Sequence, residues 1–231
     1  MDLNRLYKLE RKYGRYAIED LMLYIVFANA IVFIIDFLMP ATNLINKLML
    51  YPDRVLKGDV WRLLTFLFVP PSDSIIWIVF ALYFYYLVGT SLEDQWGSFR
   101  FNIYYLIGVL ASIAAAFLAY ATMPVFYGAY LPVAITPEHL NLSLFLAFAH
   151  LFPNFEVMIF FILPVKVKYL AWINWAFIIY SLIFNPLPIK FAAVASIVNY
   201  LIFFGSDIIK NIKLKRQVYK NRRRFRQAFK K

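Results

Sequence analysis

Six apolar segments, at 18–39, 75–92, 101–123, 139–152, 169–185 and 189–206, limit what this 231-residue chain can fold into more than any other feature. A helix needs about 20 apolar residues to cross the hydrocarbon core of a bilayer. The first and third segments reach that length, whereas the fourth, HLNLSLFLAFAHLF, gives only about 21 Å at the helical rise. The fifth is also short. One soluble core cannot hide a chain that is 63% hydrophobic and 20% aromatic, so its natural solvent is a bilayer. The expected fold is all-α, a polytopic membrane protein of six transmembrane spans, with the two short segments half-buried or set in thinned bilayer. The charged first 16 residues and the lack of a small-residue cleavage site predict that the first apolar run is retained as a signal-anchor.

Charge sets the expected orientation. With both termini on one side, 19 of the 24 Lys and Arg fall on that side and 5 on the other, and the loop 122–138 has none. Positive residues concentrate on the cytoplasmic side, so both termini are expected there. Three parts follow: a cytoplasmic N-terminal segment 1–17, a membrane domain 18–206 and a basic cytoplasmic tail 207–231. Within the domain, the outer loop 40–62 is too apolar for a simple connector. Leu44, Ile45, Leu48, Met49 and Leu50 are spaced to lie flat in the membrane surface, with Lys47 and Asp53 facing water.

The second apolar run is entered through Trp61-Arg62 and left through GTSLEDQWGSFRF. Trp at headgroup depth with a snorkelling Arg is an ordinary interfacial anchor. A further expectation is that the Arg62 guanidinium holds loop carbonyls shielded from water. At the exit, Gly89 permits close helix approach, Gly97-Ser98 turns the chain, and Glu93 and Asp94 are placed to pair with Arg100. Elsewhere, Asn29, Ser112, Ser181, Ser196 and Asn199 read as interhelical glue, and Ala192, Ala193, Ala195 and Ser196 as a small-residue packing face. Asp36 lies near the outer end of the first span, within reach of headgroup water.

Taken together, Trp61-Arg62 and the turn bearing Gly89, Leu92-Glu93, Gly97-Ser98 and Arg100 resemble the rhomboid superfamily. The stretch 145–177, with Pro153-Asn154, Phe160-Phe161 and the run Lys166 to Trp172, looks like the Derlin branch of that superfamily. The resemblance spans roughly 18–206. It implies a six-span rhomboid-like bundle and makes Lys166, Lys168, Tyr169 and Trp172 candidates for client or lipid contact.

The resemblance fails at the chemistry. Active rhomboids carry a serine in Gly-x-Ser-Gly on the fourth span and a histidine on the sixth, because a hydroxyl needs a base within about 3 Å. Here the sixth span has no histidine, and near that position stands Asn199, whose neutral amide takes no proton. Ser143 occupies the fourth segment without flanking glycines, one helical turn after His139. A catalytic dyad is therefore not expected, and Ser143 reads as a packing or back-bonding hydroxyl. Metal is not expected either: the chain has no cysteine, and His139 and His150 sit eleven residues apart on one helix. No cofactor is implied.

The tail KNIKLKRQVYKNRRRFRQAFKK directly follows a span, so attraction to anionic lipid explains its charge more simply than nucleic acid does. The expected function is that of a rhomboid-like, Derlin-like pseudoprotease. It binds membrane-protein clients, thins the bilayer locally and acts in membrane-protein quality control or trafficking. An unconventional serine protease and a structural subunit of a membrane complex stay open as alternatives. A transporter is disfavoured by the polar-poor interior. Client identity and oligomeric state are not legible in the sequence.

Overall fold

The computed structural model describes residues 9–130, 132–159 and 163–228. Without water in the bilayer core each apolar run must satisfy its own backbone, and the helix is the open-chain way to do so. Helix α1 spans Leu21–Leu38 and stops two residues before Pro40. The outer loop then folds into three short helices, α2 (Leu44–Leu48), α3 (Pro52–Leu56) and α4 (Arg62–Thr65). Helix α5 covers Ile75–Trp96, and α6 covers Ser98–Tyr127. Between them Gly97 takes φ 81°, a left-handed value that side chains resist. Helix α7 is Glu138–Leu151, α8 is Val167–Phe184 and α9 is Leu187–Ala228.

Five of these helices are long and apolar enough to cross a membrane: α1, α5, α6, α8 and the Leu187–Gly205 part of α9. The remaining apolar segment, the fourth in sequence, is α7, which has 14 residues and reaches only about 21 Å. It sits at the centre, packed by α5, α6, α8 and α9, with nine of its residues buried. The long helices turn large apolar side chains outward instead: Phe27 and Ile34 on α1, Leu106 and Leu110 on α6, Trp172 and Phe177 on α8. A protein apolar on its outside and close-packed within is a polytopic helical membrane protein.

Two features differ from what the sequence predicts. Glu156–Ile159 (β1) and Leu163–Lys166 (β2) pair antiparallel between α7 and α8, with Glu156 opposite Lys166 and their charges 3.8 Å apart. The Phe160-Phe161 pair lies outside the described residues. The composition boundary at 206–207 also falls inside α9, which runs on as one helix into the basic tail.

The loop 40–62 is fastened near its start and at its middle. Leu50 is fully buried and exchanges two backbone hydrogen bonds with Ile135 of the next outer loop, at 3.2 and 3.0 Å. Leu44, Ile45, Leu48 and Met49 are half-buried, while Lys47 is exposed. Asp36 accepts from the Ile45 backbone N–H at 3.4 Å, which ties the end of α1 to this loop.

Candidate functional site

The site is built on α7. Its partners across the bundle are α6 and α9, which approach closely because Gly108 of α6 faces Leu140 and Asn199 with no side chain of its own. A Cβ at that position would overlap both. Through this close approach Ser143 of α7 and Asn199 of α9 meet: the Asn199 amide Nδ2 donates to Ser143 Oγ at 3.1 Å. The Ser143 hydroxyl in turn donates to the Leu140 carbonyl at 2.8 Å. Tyr104 of α6 donates its hydroxyl to the Ser143 carbonyl at 2.9 Å. Ser143 is fully buried and Asn199 is 1% exposed, so neither offers a surface to a substrate.

The Ser143 hydroxyl is engaged both as donor and as acceptor, although the buried Asn199 Oδ1 accepts no hydrogen bond among the described residues. The proton that a nucleophilic serine must lose is committed to a backbone carbonyl, and the amide facing its oxygen is a donor, not a base. His139 is no substitute. It lines a separate cavity of about 410 Å³ with Glu138, Leu142, Phe177, Ser181 and Asn185, and Ser143 takes Leu140 and Asn199 as its partners. His150, near the other end of α7, pairs through Nδ1 with the Tyr200 hydroxyl at 2.9 Å and packs on Phe204. No cluster of metal-ligating side chains occurs among the described residues.

Arg62 holds the outer loop. Its Nη1 donates to the carbonyls of Asn46 and Met49, both at 2.9 Å, and its Nε pairs with Asp59 at 2.9 Å. The residue is 7% exposed, whereas its neighbour Trp61 is half exposed, as an interfacial side chain would be. Thr65 adds a bond to the Leu48 carbonyl at 3.2 Å.

At the opposite end of the bundle, Gly89 lets α1 and α5 touch, since a Cβ there would overlap Met22. The expected pairing of Glu93 and Asp94 with Arg100 needs correction. Glu93 is buried and accepts from the Asp20 backbone N–H at 2.9 Å, which caps the start of α1. Arg100 instead binds Glu10, at 3.1 Å through Nε and 2.9 Å through Nη2. The Gly97 turn separates the two groups: Glu93 faces inward in the last turn of α5, while Arg100 faces the N-terminal segment. Ser98 opens α6 without a side-chain cap.

The polar residues that bridge helices are asparagines more than serines. Asn29 reaches the Leu67 carbonyl at 3.2 Å, and Asn174 reaches the Leu142 carbonyl at 3.3 Å. Ser112 and Ser196 bond back to Gly108 and Ala193 of their own helices, so they permit close packing without bridging. Asn174, Tyr104 and Gly108 escape the sequence reading because nothing in their local context marks them. Lys166 pairs with Glu156 beside the hairpin, and Tyr169 and Trp172 are exposed on α8.

A groove of about 600 Å³ opens between α5 and α7, walled by Trp77, Phe80, Phe84, Tyr85 and Phe145. Asn141 lines it, nine-tenths buried, with an Oδ1 that accepts no hydrogen bond among the described residues.

Fold and site together define a multi-pass, helical, integral membrane protein with a short, buried central helix whose serine is tied into the packing. A family model described as eukaryotic integral membrane protein (DUF1751) matches residues 20–207, from the start of α1 into the polar extension of α9, and the chain belongs to that family. No curated protein matches it.

Proposed function

We propose that this protein is a rhomboid-like, Derlin-like pseudoprotease that crosses the membrane six times with both termini in the cytoplasm and binds transmembrane segments of client proteins. The observation that carries this reading is the Ser143–Asn199 hydrogen bond. The two positions that resemble a rhomboid dyad face each other as donor and packed hydroxyl, a contact that fastens α7 to α9.

The groove between α5 and α7 is the client site in this reading. Its aromatic walls suit an apolar helix, and Asn141 offers an acceptor to a client whose backbone is opened by Pro or Gly. Helix α7 beneath it is roughly 9 Å shorter than a 30 Å hydrocarbon core. Mismatch costs fractions of a kcal/mol per Å, enough to thin the bilayer at the groove and loosen a client helix there. Quality control or trafficking of membrane proteins is the process such a site serves.

Photo-crosslinking in native membranes tests the reading. A photoreactive residue at Ala81, on the groove wall, is expected to capture membrane proteins, while one at Phe27, on the outward face of α1, captures few. Equal capture at both positions would leave only a structural subunit.

A further inference from the structure

A second groove, of about 500 Å³, lies on the other side of α7, between α7, α8 and α9. Its shape follows from α8. Lys168 stands at the mouth, in the first turn of the helix, and Trp172, Trp175 and Ile179 continue the lining from that point. From Lys168 to Ile179 the helix rises about 16 Å, half of a 30 Å hydrocarbon core and hence the depth of one leaflet. His150 and Tyr200, bonded to each other at 2.9 Å, form the polar part of the opposite wall. The groove is thus cationic at the interface and apolar below, the profile of an amphiphile.

Its charge selects the sign of that amphiphile. Lys166 is paired with Glu156, but among the described residues Lys168 meets no carboxylate, its ammonium lying 5.2 Å from the Tyr169 ring centroid. None of the residues lining the groove is acidic. The same end of the bundle carries Arg100 and the basic residues that follow Lys210 on α9. Basic pockets between transmembrane helices bind anionic headgroups. Trp172, 76% exposed, suits the headgroup boundary.

We infer that this groove binds one anionic phospholipid from the leaflet at the Lys168 end, its phosphate against Lys168 and one acyl chain along Trp172, Trp175 and Ile179. The site is separate from the client groove and does not depend on client binding.

The test uses the full chain, reconstituted in vesicles of nine parts phosphatidylcholine to one part phosphatidylserine, extracted gently and weighed by native mass spectrometry. One phosphatidylserine is expected to be retained well above its share of the bilayer. Lys168→Glu, which reverses the charge at the mouth, and Ala171→Phe, which fills the groove, are each expected to lower retention several-fold. Lys57→Glu, on an exposed side chain at the opposite end of the bundle, leaves it unchanged. Soluble glycerophosphoserine, the headgroup without chains, is expected not to displace the lipid. Retention in proportion to bilayer composition, or retention unchanged in both Lys168→Glu and Ala171→Phe, overturns the proposal. Displacement by glycerophosphoserine overturns it in favour of a site for free phosphate esters, and a peptide adduct in place of lipid overturns it in favour of a protein occupant.

Discussion

Arg62 and Ser143 are both polar, both buried and both bonded to backbone carbonyls, yet they are held in different ways. The guanidinium closes a loop: it joins Asn46 and Met49, residues 16 and 13 positions away, through one nitrogen. Removing it leaves two shielded carbonyls without a donor, at about 1–3 kcal/mol each where water cannot replace it. Arg62→Ala is therefore expected to melt well below Arg54→Ala in detergent, because Arg54 is largely exposed and only 3.9 Å from Asp53. Equal melting temperatures would reduce Trp61-Arg62 to an interfacial anchor. Ser143→Ala removes a smaller group but strands the Asn199 amide donor, a loss of about 1–3 kcal/mol. Replacing both partners, Ser143→Ala with Asn199→Leu, is expected to recover part of that loss, since paired apolar groups leave nothing unsatisfied. A double variant less stable than the sum of the single ones would show that the bond is not what joins α7 to α9.

At the level of helices, two glycines set the spacing of the bundle. Gly108 brings α6 against α7 and α9, and Gly89 brings α5 against α1. Gly108→Ala is expected to cost about 1–3 kcal/mol, as overpacking does, because Leu140 and Asn199 are both hemmed in by the site. Gly205→Ala, inside α9 where a Cβ meets nothing, serves as the control and is expected to keep or slightly raise stability in a thermal melt, since Ala is favoured over Gly in a helix by about 0.5–1 kcal/mol. The helices themselves were legible because an apolar run in a bilayer has few alternatives to helix. The pairing of Glu156–Ile159 with Leu163–Lys166 was not, because alternation over four residues per strand is a weak signal beside the long runs around it. Arg100 shows the same limit for side chains. Its sequence neighbours Glu93 and Asp94 suggested a local pair, whereas its partner Glu10 lies 90 residues away and only the folded bundle brings them together. The Ser143–Asn199 contact, 56 residues apart, was visible only as two positions in a resemblance, with no spacing rule to join them.

The whole molecule reads as a bundle whose two ends differ in charge. The hairpin, Arg100 and the extension of α9 share the basic end, and the fastened outer loop forms the other. Reporter fusions after Phe99 and at the C-terminus are expected to report cytoplasm, and a fusion near Tyr130 the opposite side. A cytoplasmic signal at Tyr130 would contradict six passes. The extension of α9 reaches about 34 Å beyond Gly205, several Debye lengths. Only its first turns therefore feel an anionic bilayer while the helix stands upright. Its proposed attraction to lipid requires it to bend toward the surface.

The proposed role of the Ser143–Asn199 pair is structural, without chemistry of its own. The direct measurement is to incubate the purified protein with a fluorophosphonate probe and with transmembrane substrates, alongside Ser143→Ala. No covalent labelling and no cleavage are expected in either protein, because the serine proton is held by the Leu140 carbonyl and no base among the described residues bonds to the oxygen. Labelling and cleavage in the unmodified protein that both vanish in Ser143→Ala would contradict the structural role.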